Sequence, residues 1–333
     1  MRTSINKSIL TSFTAVLAAC GGGGGSGGTS ITSNNATTFQ AVASEGELIS
    51  YTVDTTALTY SYQIIESAYG KTGVTSSGQL TRNSDGTYTP TGFSGKVAVL
   101  DNGLLLGAIS EDLNNDGTRE TVPLIGVTNP VTSSAEAAGI YNFISRQCGA
   151  TNCYNYYGTV KVNTDGTWTS CVAANMAATN YSCQGSASGS VTNLSSGRGT
   201  LMVNGVAGGS MLIFKDPTSG QKVVLVDLNG ATNLGKGAIF SATQTLPASA
   251  DGTWTYLHTN GINGSVNVTG TNFTDTGRYA NGTTFSTNGS FTRDLPWAGF
   301  IRTASGANII TAGSGLYAAY FSSTGSMSIG VKK

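Results

Sequence analysis

Short runs of apolar or alternating residues, each cut off after a few positions by glycine, asparagine or aspartate, leave this chain little choice but antiparallel β-structure. Met211–Phe214 and Val223–Val226 are typical. They flank Asp216-Pro217-Thr218-Ser219-Gly220, a turn composition that folds one run back on the other. No long stretch keeps the 3.6-residue spacing of an amphipathic helix, and the 46 glycines are spread along the whole chain. The expected fold is all-β and antiparallel: an up-and-down β-barrel preceded by a smaller β-rich region. Closure into a barrel removes exposed sheet edges. A β-sandwich and a parallel β-helix are the alternatives, the latter because of Gly264–Phe273.

Two regions are expected beyond residue 38. The first, 39–127, carries strand-like pieces at Tyr60–Ile65 and Lys96–Leu100, and Thr128–Glu136 reads as a connection because it holds Pro130 among small and polar neighbours. The second, 139–333, is the barrel-like domain, with roughly eight to ten strands. An internal echo runs through both. Gly78–Thr89 aligns with Gly158–Thr169, each ending in Asp-Gly-Thr-aromatic-Thr, and Asp251–Thr255 repeats that ending. Each copy reads as an Asp-Gly turn feeding a strand, and the three together suggest duplication of a β-meander.

Five cysteines are present, four of them within residues 148–183. In an exported chain an even, compact cluster reads as disulfides. Three pairings are open; Cys148 with Cys153 and Cys171 with Cys183 is preferred, since each closes a local loop. Zinc is the rival, but C-x4-C with C-x11-C is not a usual structural-zinc spacing and His258, the single histidine, is remote.

The fifth cysteine carries the address. Arg2 and Lys7 precede the apolar stretch Ile9–Leu17, too short to remain as a spanning helix, and then Leu17-Ala18-Ala19-Cys20. This tetrapeptide resembles the lipobox of bacterial lipoproteins. The resemblance implies a signal peptide over 1–19 and a lipidated (palmitate-type acylated) N-terminus at Cys20; several chains together make a stable anchor. Asp after the cysteine commonly marks inner-membrane retention in Gram-negative lipoproteins; Gly21 stands there, which implies the outer membrane. Residues 20–38, rich in Gly, Ser and Thr, read as a flexible tether with a reach of roughly 25 Å. Surface lipoproteins of the transferrin-binding and factor H-binding types carry similar glycine-rich tethers and β-barrels, although no motif in the folded part matches them. A membrane-spanning barrel is disfavoured, because the last residues, Gly330 to Lys333, lack a terminal aromatic.

Composition narrows the job by exclusion. Only 10% of residues are charged and the net charge is zero, so there is no basic face for nucleic acid. Asp112, Asn114, Asp116 and Glu120 have the alternate spacing of a calcium loop, but the twelfth position holds Pro123 instead of a bidentate Glu; the competing reading is a plain hairpin turn. His258, near a strand end, reads as a surface residue and not as a base. The one G-x-S-x-G match, Gly24–Gly28, lies in the tether where no nucleophile elbow can form. Tyr154, Tyr156 and Tyr157, with Trp168 nearby, offer aromatics to a sugar or a protein partner, or else fill the barrel. No catalytic residues and no cofactor are assigned, calcium apart. The expected function is a non-catalytic, outer-membrane-anchored binding lipoprotein with the membrane as its first partner. A lipid-anchored hydrolase of envelope polymers and a structural surface component are the alternatives.

Overall fold

The computed structural model describes residues 35–113, 117–148, 153–179, 182–246, 248–311, 315–321 and 326–333. The expected signal segment, Cys20 and residues 21–34 of the expected tether lie outside them, whereas Ala36–Thr38, read from sequence as the end of the tether, are strand paired with Thr52–Asp54. The strands fall into three successive groups of eight. The first comprises β1 (Ala36–Ala43), β2 (Glu47–Asp54), β3 (Thr59–Ser67), β4 (Thr75–Arg82), β5 (Tyr88–Pro90), β6 (Ala98–Val99), β7 (Leu104–Glu111) and β8 (Glu120–Val127). The second comprises β9 (Gly139–Cys148), β10 (Cys153–Val162), β11 (Thr167–Val172), β12 (Ser186–Thr192), β13 (Gly199–Val203), β14 (Val206–Lys215), β15 (Lys222–Asn229) and β16 (Lys236–Thr243). The third comprises β17 (Gly252–His258), β18 (Asn263–Thr269), β19 (Asn272–Arg278), β20 (Thr284–Arg293), β21 (Phe300–Thr303), β22 (Asn308–Thr311), β23 (Leu316–Phe321) and β24 (Ser326–Lys332).

Within each group neighbours in sequence pair antiparallel and the last strand returns to the first. Short turns force the first part of this pattern, and twist brings the ends together at eight strands. The second group closes through Tyr141↔Thr243 to Cys148↔Lys236, and the third through Trp254↔Lys332 to His258↔Ser328. The first is nearly closed: β5 meets the stretch before β6 only at the Tyr88–Val97 bridge, where both backbone bonds measure 2.8 Å. All-β, antiparallel and barrel-forming is thus what the chain builds. The stretch 139–333, read from sequence as one barrel-like domain, holds two closed barrels, because β16 has already sealed the ring on β9 by Thr243. The linker 244–251 that separates them looks in sequence like one more turn.

Four apolar clusters hold the assembly. Three are barrel interiors, around Tyr51 and Ile64 in the first ring, Ile213 and Val226 in the second, and Trp254 and Tyr256 in the third. The fourth lies outside all three barrels and between them, joining Leu104, Leu106 and Ile125 to Leu212, Phe214 and Leu225 and to Ala318, Met327 and Ile329. Alternation explains how one strand serves two cores. In β14 Leu212 and Phe214 face the shared core while Met211 and Ile213 face the barrel interior. Strands buried on both faces read as unbroken apolar runs, and these are the runs from which the sequence signal was strongest.

The echo takes two forms in the structure. Asp85 and Asp165 make the same turn: each carboxylate accepts from the backbone N and hydroxyl of the following threonine, Thr87 and Thr167, at 2.5–2.9 Å. Asp251 instead accepts from Gly270 N at 2.6 Å. The copies open the fifth strand of the first ring, the third of the second and the first of the third, so they do not mark equivalent positions.

Candidate functional site

The third barrel encloses a cavity of about 390 Å³. Trp254, Phe273, Phe291, Ile309 and Tyr317 are the large apolar and aromatic side chains on its wall, with Phe321 beside them. Its space follows from two features of the strands. Opposite the large interior rings the neighbouring strand carries glycine: a Cβ at Gly289 would lie 2.3 Å from the Phe273 ring, and one at Gly264 2.7 Å from the Tyr256 hydroxyl. The rings therefore lie across neighbouring strands instead of filling the centre of the barrel. The second feature is a short wall. β21 and β22 have four residues each, and β21 pairs with only Phe291–Arg293 of the ten-residue β20. Ala304 N still bonds Ser290 O at 3.1 Å, and beyond that point residues 284–289 have β19 as their one strand partner among the described residues. The cavity reaches this notch, where Thr287, Asn288, Ala304 and Ser305 line it and are exposed.

One carboxyl stands on this wall. Asp275, flanked by Val266 and Thr287 on the adjacent strands, is half-buried and accepts from the Tyr256 hydroxyl at 2.8 Å. Burial raises the Asp275 pKa and the Tyr256 hydrogen bond opposes that shift. Burial likewise pushes the Tyr256 and Tyr317 phenols far up, so both act as neutral hydrogen-bonding groups at physiological pH. The arrangement suits an apolar or aromatic body with one polar contact. Among the described lining residues no histidine, cysteine or lysine accompanies Asp275.

A second cavity of about 200 Å³ lies inside the second barrel, lined by Tyr156, Val160, Trp168, Ser170, Met211 and Leu234 among others. Trp168 is buried and its indole Nε1 has no hydrogen-bond partner among the described residues.

The residues singled out in sequence scatter across the fold. The four cysteines form the disulfides Cys148–Cys153, across the paired ends of β9 and β10, and Cys171–Cys183. Their sulfurs are thus no thiolate ligands. Glu45 lies beside the first pair but is held by Arg146 at 2.8 Å. Asp112 follows β7 and Glu120 opens β8, which pair so that Glu111 faces Glu120. Asp112 accepts from Gly117 N at 3.1 Å; Asn114 and Asp116 lie outside the described residues. His258 is buried, not on the surface: its Nε2 lies 3.2 Å from Ser326 Oγ and burial lowers its pKa to about 4. The aromatics divide among three environments. Tyr154 is exposed, Tyr156 and Trp168 face the second cavity, and Tyr157 stacks on Trp297 of the third barrel at 5.8 Å.

Two acids that drew no notice in sequence are the most perturbed. Glu47 in β2 and Asp227 in β15 meet where the first ring docks on the second; both are buried and each has one carboxylate oxygen without a partner. Burial raises each to about 8, helped by Asp227 in the case of Glu47 and by Glu66 in the case of Asp227. Ser67 donates to Glu47 at 2.9 Å. Neither is among the residues that line the two barrel cavities; they lie at the joint between the first two rings.

No family model and no curated protein matches the chain. Among solved structures it is similar to a putative DNA polymerase III beta subunit from Eubacterium rectale ATCC 33656, at 7% identity over 92% of this chain and 93% of that one, with a TM-score of 0.14. Likeness at that score carries no argument about function.

Proposed function

We propose that this protein is a non-catalytic ligand-binding lipoprotein of the cell envelope, whose third barrel holds a small, largely apolar molecule. The observation that carries the reading is the 390 Å³ interior cavity with its aromatic wall and lateral notch. Eight-stranded barrels are wide enough to hold one small ligand or to be filled by their own side chains, and here the glycines opposite large rings leave space. An apolar chamber with a single carboxyl favours binding over hydrolysis, because paired acids for glycosidic cleavage would have to share one cleft. The lipobox-like Leu17–Cys20 supports attachment through Cys20, and Gly21 supports the outer membrane.

Two measurements test the two halves. A neutral naphthyl probe that brightens in apolar surroundings is expected to bind one per chain, and Ile309→Trp, which fills the cavity, to weaken it about tenfold or more. Undiminished binding by that variant would remove the cavity from the proposal. Intact mass of protein extracted from membranes is expected to show a chain starting at Cys20, heavier by its acyl groups. An unmodified chain beginning at Met1 would remove the anchor.

A further inference from the structure

We infer that the third barrel selects ligands carrying a positively charged amine at one end of their apolar body, with Asp275 as the counter-ion; this rests on the cavity reading above. Three observations support it. Asp275 is the one carboxyl among the lining residues, and no lysine or arginine stands with it on that wall. The walls around it are aromatic, and a cation against ring faces is attracted by their quadrupoles as well as by the carboxylate. Tyr256 supplies the third. Its hydroxyl donates to Oδ1 of Asp275 at 2.8 Å, reaching from β17 across Gly264 of β18, which anchors that oxygen on the β17 side.

The half-buried position matters for selectivity. Charge-assisted hydrogen bonds gain strength where water is excluded, and an isolated carboxylate in such surroundings is better satisfied by an ammonium than by an alcohol. An anionic ligand would meet the opposite. The notch beside β20 gives the polar end a route, since Thr287 is the direct cross-strand neighbour of Asp275 and is exposed. An amine reaching Asp275 past Thr287 leaves its apolar body to lie against Phe273 and Phe291.

The test compares two naphthyl probes of the same body, one ending in an alcohol and one in a primary ammonium, titrated against the whole mature protein at neutral pH. The ammonium probe is expected to bind about tenfold more tightly than the alcohol. Asp275→Asn should bring that ratio close to unity with both probes still binding. Equal affinities in the unaltered protein, or a preference that survives Asp275→Asn, overturn the inference while leaving the cavity reading intact. Failure of both probes to bind the unaltered protein overturns the cavity reading and the inference together.

Discussion

At the scale of single residues the carboxyls that depart furthest from ordinary chemistry lie at a joint and not in the cavity. Glu47 and Asp227 are raised to about 8 in the folded chain, against ordinary values near 4. A carboxyl whose folded pKa is raised binds its proton more tightly in the native state, so its contribution is complete below the unfolded value and is lost as pH climbs through the folded one. Stability should therefore fall between about pH 4 and about pH 8, by an amount on the order of a few kcal/mol. Denaturant melts across that range are the check. Glu47→Gln keeps the acceptor for Ser67 and should flatten much of the slope; an unchanged slope would mean that the ionisation is relieved by rearrangement at the joint. Nothing in sequence marked these acids, since Glu47 and Asp227 sit in strands that read as alternating and apolar. Their burial arises from contacts between residues far apart in the chain.

At the scale of strands the recurring device is a large ring laid over a glycine on the next strand. Tyr60 faces Gly78, Trp168 faces Gly189 and Phe273 faces Gly289, one pair in each ring. Gly289→Ala should destabilise the third barrel by about 1–3 kcal/mol, since the added methyl meets the Phe273 ring at 2.3 Å and one of them must move. Thermal unfolding followed by near-ultraviolet signals from Trp254 would show it, and an unchanged midpoint would mean that the ring turns freely. These pairs explain what sequence reading could and could not see. Hairpins such as Met211–Phe214 with Val223–Val226 were legible because a turn and two apolar runs are local, and β14 and β15 form that hairpin. The disulfides closing local loops were legible for the same reason. The cavity was not. Gly264 and Gly289 look like turn residues until their cross-strand partners are known, and Asp275 in Thr274-Asp275-Thr276 looks like any solvent-facing strand position.

At the scale of the whole molecule, three rings share one core outside themselves, and Leu212, Phe214 and Leu225 in the second ring touch apolar walls of the others. Polar ties reinforce it: Asn142 of β9 donates to Ala298 O at 2.9 Å and accepts from Trp297 Nε1 at 2.9 Å, and Ser210 donates to Glu66 at 2.6 Å. Calorimetry should accordingly give a single transition, and Leu225→Asp, which places a charge in the shared core, should split or broaden it. Separate transitions in the unaltered protein would show the rings to be independent. The division of 139–333 into two barrels escaped the sequence because ring closure depends on a pairing, β16 on β9, that spans the length of the ring. The shared core also sets an order of events during synthesis. A chain made from its N-terminus completes the first ring while the partners of Leu104, Leu106 and Ile125 are still unmade, so that wall waits in water until the later strands arrive. The interval between ring closure and docking is when this protein is most exposed to aggregation, and a holding chaperone would act there.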